Sequence, residues 1–413
     1  MDIKNQKPEL LCPAGDRERL EMALHYGADA VYLAGEQFGM RASAGNFSAE
    51  GIRDAVRLAH MCGAKVHVTC NTLPRDKELS ELPAFLELLE DAGVDAVIAA
   101  DLGVMGMVLR YAPHAALHAS TQFGVVNSAA ARALHDLGAS RVVLARELHL
   151  DEIAEIRANM PPALELEAFV HGAMCVSFSG RCLLSNYMTG RDANRGRCAQ
   201  PCRWEYGLVE KKRPGEVFEI IEDGGTFLLN SRDMCMIEHL PELMQAGITS
   251  LKIEGRMKSA YYVGAVTNAY RHALDAVLAG KAVPDVWRRE TEQISHRPYS
   301  TGFYFGEPGQ YTAESAYYSG AEICAVVVGS LAGRTLLTQR NKFEAGDALE
   351  LVTRDREPVS FIAADIRDEE GTSLQTVPHP LQRFTMPLPA PAEPLSIVRR
   401  KTDIRRDSTC ANH

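Results

Sequence analysis

The sequence predicts an α/β protein, a TIM-like (β/α)8 barrel followed by a small all-β barrel domain. Short apolar runs, many of them β-branched, alternate with amphipathic helical stretches through the first part of the chain. This alternation favours parallel strands, because each crossover helix covers one face of the sheet. Eight such runs occur, the number that closes a barrel, and no G-x-G-x-x-G follows any of them. A doubly wound open sheet is therefore the less favoured alternative.

The eight predicted strands are Glu9–Cys12, Ala30–Leu33, Lys65–Thr69, Ala96–Ala99, Ala116–Ala119, Arg141–Leu144, Leu166–Val170 and Ser250–Ile253. The predicted helices include Arg17–Tyr26, Glu50–Met61, Glu78–Ala92, Asp151–Asn159 and, after the last strand, Ser259–Leu278. About 80 residues separate strands seven and eight, far more than a normal connection needs. We expect an insertion over about 171–248 that emerges at the C-terminal mouth of the barrel, where such folds build their sites.

The pattern of apolar, polar and turn residues divides the chain into domains. We assign 1–285 to the barrel with its insertion, 286–320 to a linker, 321–400 to the small β-barrel domain and 401–413 to a basic and polar tail. Short alternating segments separated by turn residues predict the β domain.

Charge and hydropathy exclude some classes of protein. The chain has 413 residues and a net charge of −10, which excludes coating of nucleic acid by bulk charge but permits a local basic groove. No apolar run reaches the roughly 18 residues that span a bilayer, and the first residues lack a signal-peptide core. We expect a cytoplasmic protein without membrane contact. Thiols stay reduced there, so the clustering of five of the ten cysteines between 175 and 235 indicates metal or redox chemistry.

Four cysteines of the insertion are candidate metal ligands. Six, fifteen and three residues separate Cys175, Cys182, Cys198 and Cys202 in turn. Structural zinc sites usually contain two close pairs, so the first gap favours an iron–sulfur cluster over zinc. Buried free thiols are the third alternative. Cys235 is either a core thiol or an alternative fourth ligand in place of Cys202.

Several long motifs resemble the collagenase-like peptidases of family U32. They are ELLCPAG, HGAMCVSFSGRCLLS, RGRCAQPCRWEY, LLNSRDM and SLKIEGRMKSAYYV, and the resemblance covers most of the chain. Within this family the chain is most similar to the tRNA hydroxylation branch. The resemblance implies prephenate-dependent formation of 5-hydroxyuridine at the tRNA wobble position. It also implies a 4Fe–4S cluster on the four cysteines and a shorter family relative as a hetero-oligomeric partner. In the ubiquinone-hydroxylation branch the fourth ligand lies elsewhere, so Cys235 stays an alternative to Cys202 as the fourth ligand.

Polar residues just past the predicted strands are candidates for lining the mouth. The candidate catalytic residues are Asp101, His171 and Glu254, and the candidate substrate-binding residues are Arg41, Asn71, Gln122 and Arg256. The two arginines suit a dicarboxylate such as prephenate, since guanidinium groups bind carboxylates bidentately. Helix capping, as an N-cap for Asp101, or bracing of loops is the alternative role for each.

Basic runs are candidate contacts for tRNA phosphates, or else solvated faces. They are Lys211–Arg213, Arg288–Arg289 and the group Arg399, Arg400, Lys401, Arg405 and Arg406.

Three functions follow from these observations. The first is a tRNA-modifying enzyme. The anticodon loop of its tRNA substrate would present a splayed base to the barrel mouth. The second is a peptidase, although neither G-x-S-x-G nor H-E-x-x-H occurs in the chain. The third is a non-catalytic iron–sulfur subunit that binds RNA within a modification complex.

Overall fold

The computed structural model of the protein describes residues 7–40, 45–204, 230–309, 311 and 317–407, together with two short strands at 208–209 and 217–218. The strands of the described residues are β1 (Glu9–Pro13), β2 (Ala30–Leu33), β3 (Lys65–Cys70), β4 (Ala96–Ala99), β5 (Ala116–Ala119), β6 (Arg141–Val143), β7 (Glu165–Ala173), β8 (Leu208–Val209), β9 (Val217–Phe218), β10 (Asp233–Cys235), β11 (Ser250–Ile253), β12 (Tyr299–Ser300), β13 (Tyr317–Leu331), β14 (Arg334–Gln339), β15 (Phe343–Glu344), β16 (Ala348–Val352), β17 (Val359–Ile362), β18 (Thr376–Val377), β19 (Arg383–Thr385) and β20 (Ile397–Asp407).

The helices of the described residues are α1 (Arg17–His25), α2 (Ala49–Met61), α3 (Asp76–Leu79), α4 (Leu82–Ala92), α5 (Leu102–Tyr111), α6 (Ser128–Asp136), α7 (Leu150–Ala158), α8 (Leu184–Thr189), α9 (Leu240–Gln245), α10 (Ala260–Leu278) and α11 (Asp285–Glu290). Side-chain caps begin many of them; Asp16, for example, accepts the Arg19 N–H at the start of α1. None of the helices that the structure describes is both long and apolar enough to cross a bilayer.

Eight parallel strands close the predicted TIM-like barrel. Strands β1 to β7 pair in order, and β11 pairs with both β1 and β7. All eight predicted strands are therefore confirmed. The barrel strands are buried on both faces, as crossover helices require.

The floor of the barrel, at the N-terminal ends of the strands, is filled by a buried ion-pair network. Arg141 Nη1 lies 2.6 Å from Glu9 Oε1 and 3.1 Å from Glu167 Oε2, and Lys252 Nζ lies 2.7 Å from Glu167 Oε1. Charges this deep persist only when they are paired, and this end of a barrel contributes to stability rather than to the site.

A small antiparallel β half-barrel ends the described chain. Its six-stranded sheet has the order β17-β16-β20-β13-β14-β19, with β15 and β18 forming a separate pair. Phe343 and Phe384 pack in its core with ring centroids 5.4 Å apart. The tyrosine hydroxyl of Tyr26, at the end of α1, donates to the Val352 carbonyl at 3.1 Å and so joins the barrel to this domain.

Two sequence-based expectations at the domain junction need correction. The segment 286–320, predicted as a linker, contains α11 and β12, and β12 pairs with β10 beside the barrel. The predicted tail 401–413 contributes residues 401–407 to β20, and 408–413 lie outside the described residues.

Arg399, proposed from the sequence as a phosphate contact, is 1% exposed. It pairs with Glu290 at 2.6 Å and Glu350 at 2.9 Å, between the two domains. It is thus a buried structural cation, because these two carboxylates balance its charge.

Candidate functional site at the barrel mouth

The insertion leaves the barrel at the C-terminal end of β7 and returns along it. Cys175 lies two residues after the end of β7, and β10 pairs antiparallel with the end of β7, with Cys235 opposite His171. Gly172 lies at this corner with φ +108, and a Cβ there would stand 2.5 Å from the Glu254 carbonyl oxygen. Only glycine lets the end of β7 approach the end of β11 so closely.

Loops that follow three other barrel strands hold the insertion over the mouth. Glu147, after β6, accepts hydrogen bonds from the Ser179 N–H at 2.7 Å and the Ser179 hydroxyl at 3.0 Å. Phe178 packs on Gly124 after β5, and Arg195 pairs with Glu78 after β3. Ser179 itself has a left-handed φ of 47°, a costly conformation in a non-glycine residue that its surroundings must hold in place.

Three candidate ligand sulfurs accept a backbone N–H from the residue two positions later. The distances are 3.4 Å from Ser177 N to Cys175, 3.3 Å from Leu184 N to Cys182 and 3.3 Å from Gln200 N to Cys198. Donors aimed at cysteine sulfur are among the features that tune iron–sulfur clusters. Cys175 is exposed, and Cys182, Cys198 and Cys202 are half-buried.

Cys202 is electrostatically coupled to its neighbours. Burial raises the pKa of its thiol; the Arg203 guanidinium acts in the opposite direction, and Cys175 and Cys198 raise the pKa further. Cys202 therefore lies within electrostatic range of both Cys175 and Cys198.

Cys235 has a different environment. Its sulfur lies 3.8 Å from the Thr291 hydroxyl and 3.9 Å from the Tyr270 hydroxyl. Burial raises the pKa of this thiol. These contacts are typical of a core thiol, and the role of alternative fourth ligand stays a prediction.

A buried ion pair lies beside the cysteines. Arg297 Nη2 and Nε donate to Asp233 Oδ1 at 2.7 and 3.0 Å, and both residues are at most 2% exposed. Burial alone would raise the pKa of Asp233, but Arg297, Lys258 and Arg203 lower it to about 2. Arg203 also donates to the Tyr317 hydroxyl at 2.5 Å, which ties the end of the cysteine segment to β13.

His171 faces away from the mouth. Its ring is surrounded by Tyr262, Tyr270 and Tyr299, with ring centroids 5.4 to 6.0 Å away, and the first two lie on α10 outside the barrel. Burial lowers its pKa to about 3, so the ring is neutral near pH 7. Neither ring nitrogen has a hydrogen-bond partner among the described residues. This position does not support the expected acid–base role.

Glu254 lies at the mouth, where it accepts a hydrogen bond from Tyr32 at 2.9 Å. Asn71 and Arg256 meet on the backbone of Met40: the Asn71 amide oxygen accepts its N–H at 3.1 Å, and Arg256 donates to its carbonyl. Arg256 also donates to Thr69 at 3.2 Å. The structure thus brings these two predicted substrate-binding residues together.

The remaining predicted residues separate into three cases. Gln122 is 3% exposed, and its amide group has no hydrogen-bond partner within the described part of the chain. Asp101 caps α5 by accepting the Val104 N–H at 3.0 Å, which is the capping alternative. Arg41 and the basic run at 211–213 lie outside the described residues.

Sequence reasoning missed several polar residues in the barrel interior. Lys252 lies 4.5 Å from the Tyr32 ring, and Arg146 stacks 3.7 Å from the Phe169 ring. A lysine inside the apolar run SLKI was the available signal for the first. Tyr32 gave none, because the face of its strand becomes known only when the barrel closes. Arg146 gave none either, because it lies in the loop after β6.

One further cluster of metal-ligand types lies at the barrel floor. Among the described residues, His67, His118 and Glu167 are the one group of three or more His, Cys, Asp or Glu with ligand atoms within 4.8 Å of one another. Glu167 is already bound by Lys252 and Arg141, whose charges oppose a bound cation.

Replacement of Glu147 by alanine is expected to loosen the cysteine insertion locally. The change leaves the Ser179 N–H without its acceptor, a loss of about 1–3 kcal/mol for a buried donor. Hydrogen exchange of the amides at 177–181 is expected to accelerate, while that of the barrel strands stays unchanged. Glu155→Ala, an exposed position on α7, is the control. Unchanged exchange at 177–181 would contradict the bracing role.

Comparison with known proteins places the chain in a family. The model of peptidase family U32 matches residues 15–314, and that of the U32 C-terminal domain matches residues 320–399. The chain is 38% identical over 406 residues to tRNA hydroxylation protein P1 of Bacillus subtilis, covering 96% of both chains. It is 39% identical over 296 residues to a 23S rRNA 5-hydroxycytidine synthase of Escherichia coli, covering 72% of this chain and 43% of that one.

A third relative, a collagenase of Porphyromonas gingivalis, is 32% identical over 340 residues, which cover 78% of this chain and 79% of the relative. The resemblance seen in the sequence motifs is confirmed by these matches along both domains. The chain belongs to peptidase family U32.

Proposed function

We propose that this protein is a tRNA-modifying enzyme that hydroxylates carbon 5 of the wobble uridine. The observation that carries the proposal is the 38% identity to a tRNA hydroxylation protein across 96% of both chains. A second relative is named as a 23S rRNA 5-hydroxycytidine synthase, so hydroxylation of RNA links two differently named relatives. A cytoplasmic location would give the enzyme both its RNA substrate and reduced thiols.

The proposed cofactor is a 4Fe–4S cluster on Cys175, Cys182, Cys198 and Cys202, supported by the backbone N–H groups that three of these sulfurs accept. No three of the four sulfurs, all of them described residues, lie within 4.8 Å of one another. Zinc bonds of about 2.3 Å would place tetrahedral ligand sulfurs only about 3.8 Å apart. A cubane cluster joins more widely spaced sulfurs, which makes zinc the second choice. When bound, the cluster would supply a redox or electrophilic centre beside the mouth.

Prephenate is the proposed co-substrate. Arg256 is the residue proposed to bind one of its carboxylates. Arg256 is 4% exposed at the mouth and held by Thr69 and Met40, so its guanidinium is pre-positioned. The unpartnered amide of Gln122 has hydrogen-bonding capacity for a ligand at the end of β5. Glu254, which accepts the Tyr32 hydroxyl, is the proposed proton-transfer group in place of His171.

The peptidase alternative rests on the collagenase relative and the family description. A cysteine nucleophile needs a hydrogen-bonded base. His171 makes no such bond to Cys175, or to any other residue that the structure describes. The third possibility, an RNA-binding subunit whose shorter family partner performs the chemistry, predicts the same RNA substrate.

Nucleoside analysis of tRNA tests the proposal. A strain lacking the gene, and lacking any second enzyme for the same mark, is expected to lose 5-hydroxyuridine-derived wobble nucleosides in mass spectrometry. The intact gene is expected to restore them. Unchanged tRNA, together with cleavage of gelatin that Cys175→Ser abolishes, would overturn the proposal in favour of the peptidase.

A further inference from the structure

The cysteine insertion carries a local excess of positive charge. Residues 175–204 contain five arginines and one acidic residue, a local net charge of +4 in a chain of net charge −10. Arg195 is paired with Glu78, and Arg203 is bound to Tyr317. The other three, Arg181, Arg191 and Arg197, are exposed and form no ion pair with the residues that the structure describes. No carboxylate among the described residues therefore neutralises their charge.

The same segment carries most of the exposed aromatic side chains. Four large aromatic residues are strongly exposed among the described residues, namely Phe178, Tyr187, Trp204 and Phe305. Three of the four lie within this insertion, and Tyr187, on α8, is 81% exposed. Leu183 and Met188 add exposed apolar surface beside it. Exposed apolar side chains gathered in one short segment are typical of a site of interaction.

The local fold holds these side chains on one small unit. The turn at Pro201–Arg203, directly before Trp204, packs against α8. The Ser185 hydroxyl accepts the Ala199 N–H at 2.9 Å, and the Asn194 amide donates to the Cys182 carbonyl at 3.0 Å. The aromatic and cationic side chains therefore belong to the same braced segment as the four cysteines.

We infer that this face, formed by Phe178, Arg181, Tyr187, Arg191, Arg197 and Trp204, binds unpaired RNA nucleotides beside the cysteine centre. Unpaired bases stack on aromatic rings and guanidinium planes, while arginines meet the phosphates between them. A protein partner would need an acidic surface to match this charge, whereas RNA supplies a negative charge at every nucleotide. The inference rests on the proposed function and names the surface that holds its RNA.

Binding of two labelled RNA hairpins to the cofactor-loaded protein, followed by fluorescence anisotropy, tests the inference. One hairpin has an unpaired anticodon-type loop, and the other is closed by a minimal loop on the same stem. Tyr187→Ala is expected to weaken binding of the first by about 10-fold, the usual effect of one lost base stack. Tyr187→Phe keeps the ring and is expected to bind like the wild type. Phe305→Ala, an exposed aromatic outside the insertion, is the control.

A salt titration gives a second readout that a folding defect would not produce. Arg191→Gln is expected to reduce the slope of log affinity against log salt concentration by about 0.7, the value for one phosphate contact on a single strand. Loop-RNA affinity and salt slope unchanged in both variants would overturn the inference. Loss of association with a family partner in Tyr187→Ala, with RNA binding intact, would overturn it in favour of a protein interface.

The two proposals fail separately. If wild-type protein binds the loop RNA and the variants bind equally well, the assignment of this surface is wrong and the proposed function is untouched. If the wild type binds neither hairpin and cellular tRNA is unmodified, the proposed function itself is wrong.

Discussion

Replacing any one of Cys175, Cys182, Cys198 and Cys202 by serine is expected to reduce bound iron to background and to abolish tRNA hydroxylation. Serine offers a hard hydroxyl oxygen where iron–sulfur clusters require a soft thiolate. Anaerobically purified wild-type protein is expected to be brown with absorbance near 400 nm, and each variant is expected to be colourless. Iron analysis by mass spectrometry and nucleoside analysis of tRNA measure the two effects.

Two cysteine variants serve as matched controls. Cys62→Ser, at the exposed C-cap position of α2, is expected to keep both iron and activity. Cys235→Ala is also expected to keep its iron, because that thiol contacts Tyr270 and Thr291. If Cys235→Ala lost its iron and Cys202→Ser kept it, Cys235 would be the fourth ligand and Cys202 would not. Stoichiometric zinc in the wild type would contradict the cluster.

Replacing Arg297 by methionine is expected to lower the free energy of unfolding by about 3–5 kcal/mol, the usual loss when one partner of a buried pair is removed. The change leaves the Asp233 carboxylate, 2% exposed, without the guanidinium that binds it. Chemical denaturation at pH 7 measures the loss. Arg289→Met, whose pair with Asp285 is well exposed, is expected to change stability by no more than about 1 kcal/mol.

The Asp233–Arg297 pair also makes stability depend on pH. The folded-state pKa of Asp233, lowered to about 2, lies below its ordinary value of about 3.9. The pair's contribution is therefore complete above about pH 5 and is lost as the pH falls towards 2. The wild type is expected to lose stability across this range more steeply than Asp233→Asn. Parallel acid-unfolding curves would contradict the assignment.

The barrel strands were predictable because their signal is local. Each run is short, apolar and followed by a helix with its own cap, so that β-branched composition and periodicity point to the same structure. Strand β10 and strand β12 were not predictable. Each has only two or three residues. Asp233 lies in a strand because β10 pairs with the end of β7, and Tyr299 because β12 pairs with β10.

Charged residues were predicted less well than strands. Arg399 lies in a basic run that is typical of a solvated tail, yet Glu290 and Glu350 from distant segments bury it. His171 ends a barrel strand and therefore seemed to face the mouth. The structure turns its ring towards α10, because the last residues of β7 pair with β10 outside the barrel. Such outcomes depend on tertiary neighbours, which spacing along the chain does not encode.

The candidate cysteines were recognisable from composition, since thiols in a segment rich in glycine and arginine do not match a protein core. Their N–H···S contacts and the brace between Glu147 and Ser179 required the folded insertion. The sequence thus singled out the four cysteines, and the structure supplied the contacts that hold their segment over the mouth.

Transfer of the activity to a host that lacks its own tRNA hydroxylation proteins tests the central claim most directly. Mass spectrometry of tRNA nucleosides from cells expressing this chain is expected to show 5-hydroxyuridine-derived wobble nucleosides. The Cys182→Ser variant, expressed at the same level, is expected to show none. Absence of the mark with the wild-type chain, co-expressed with its shorter family relative, would contradict the account.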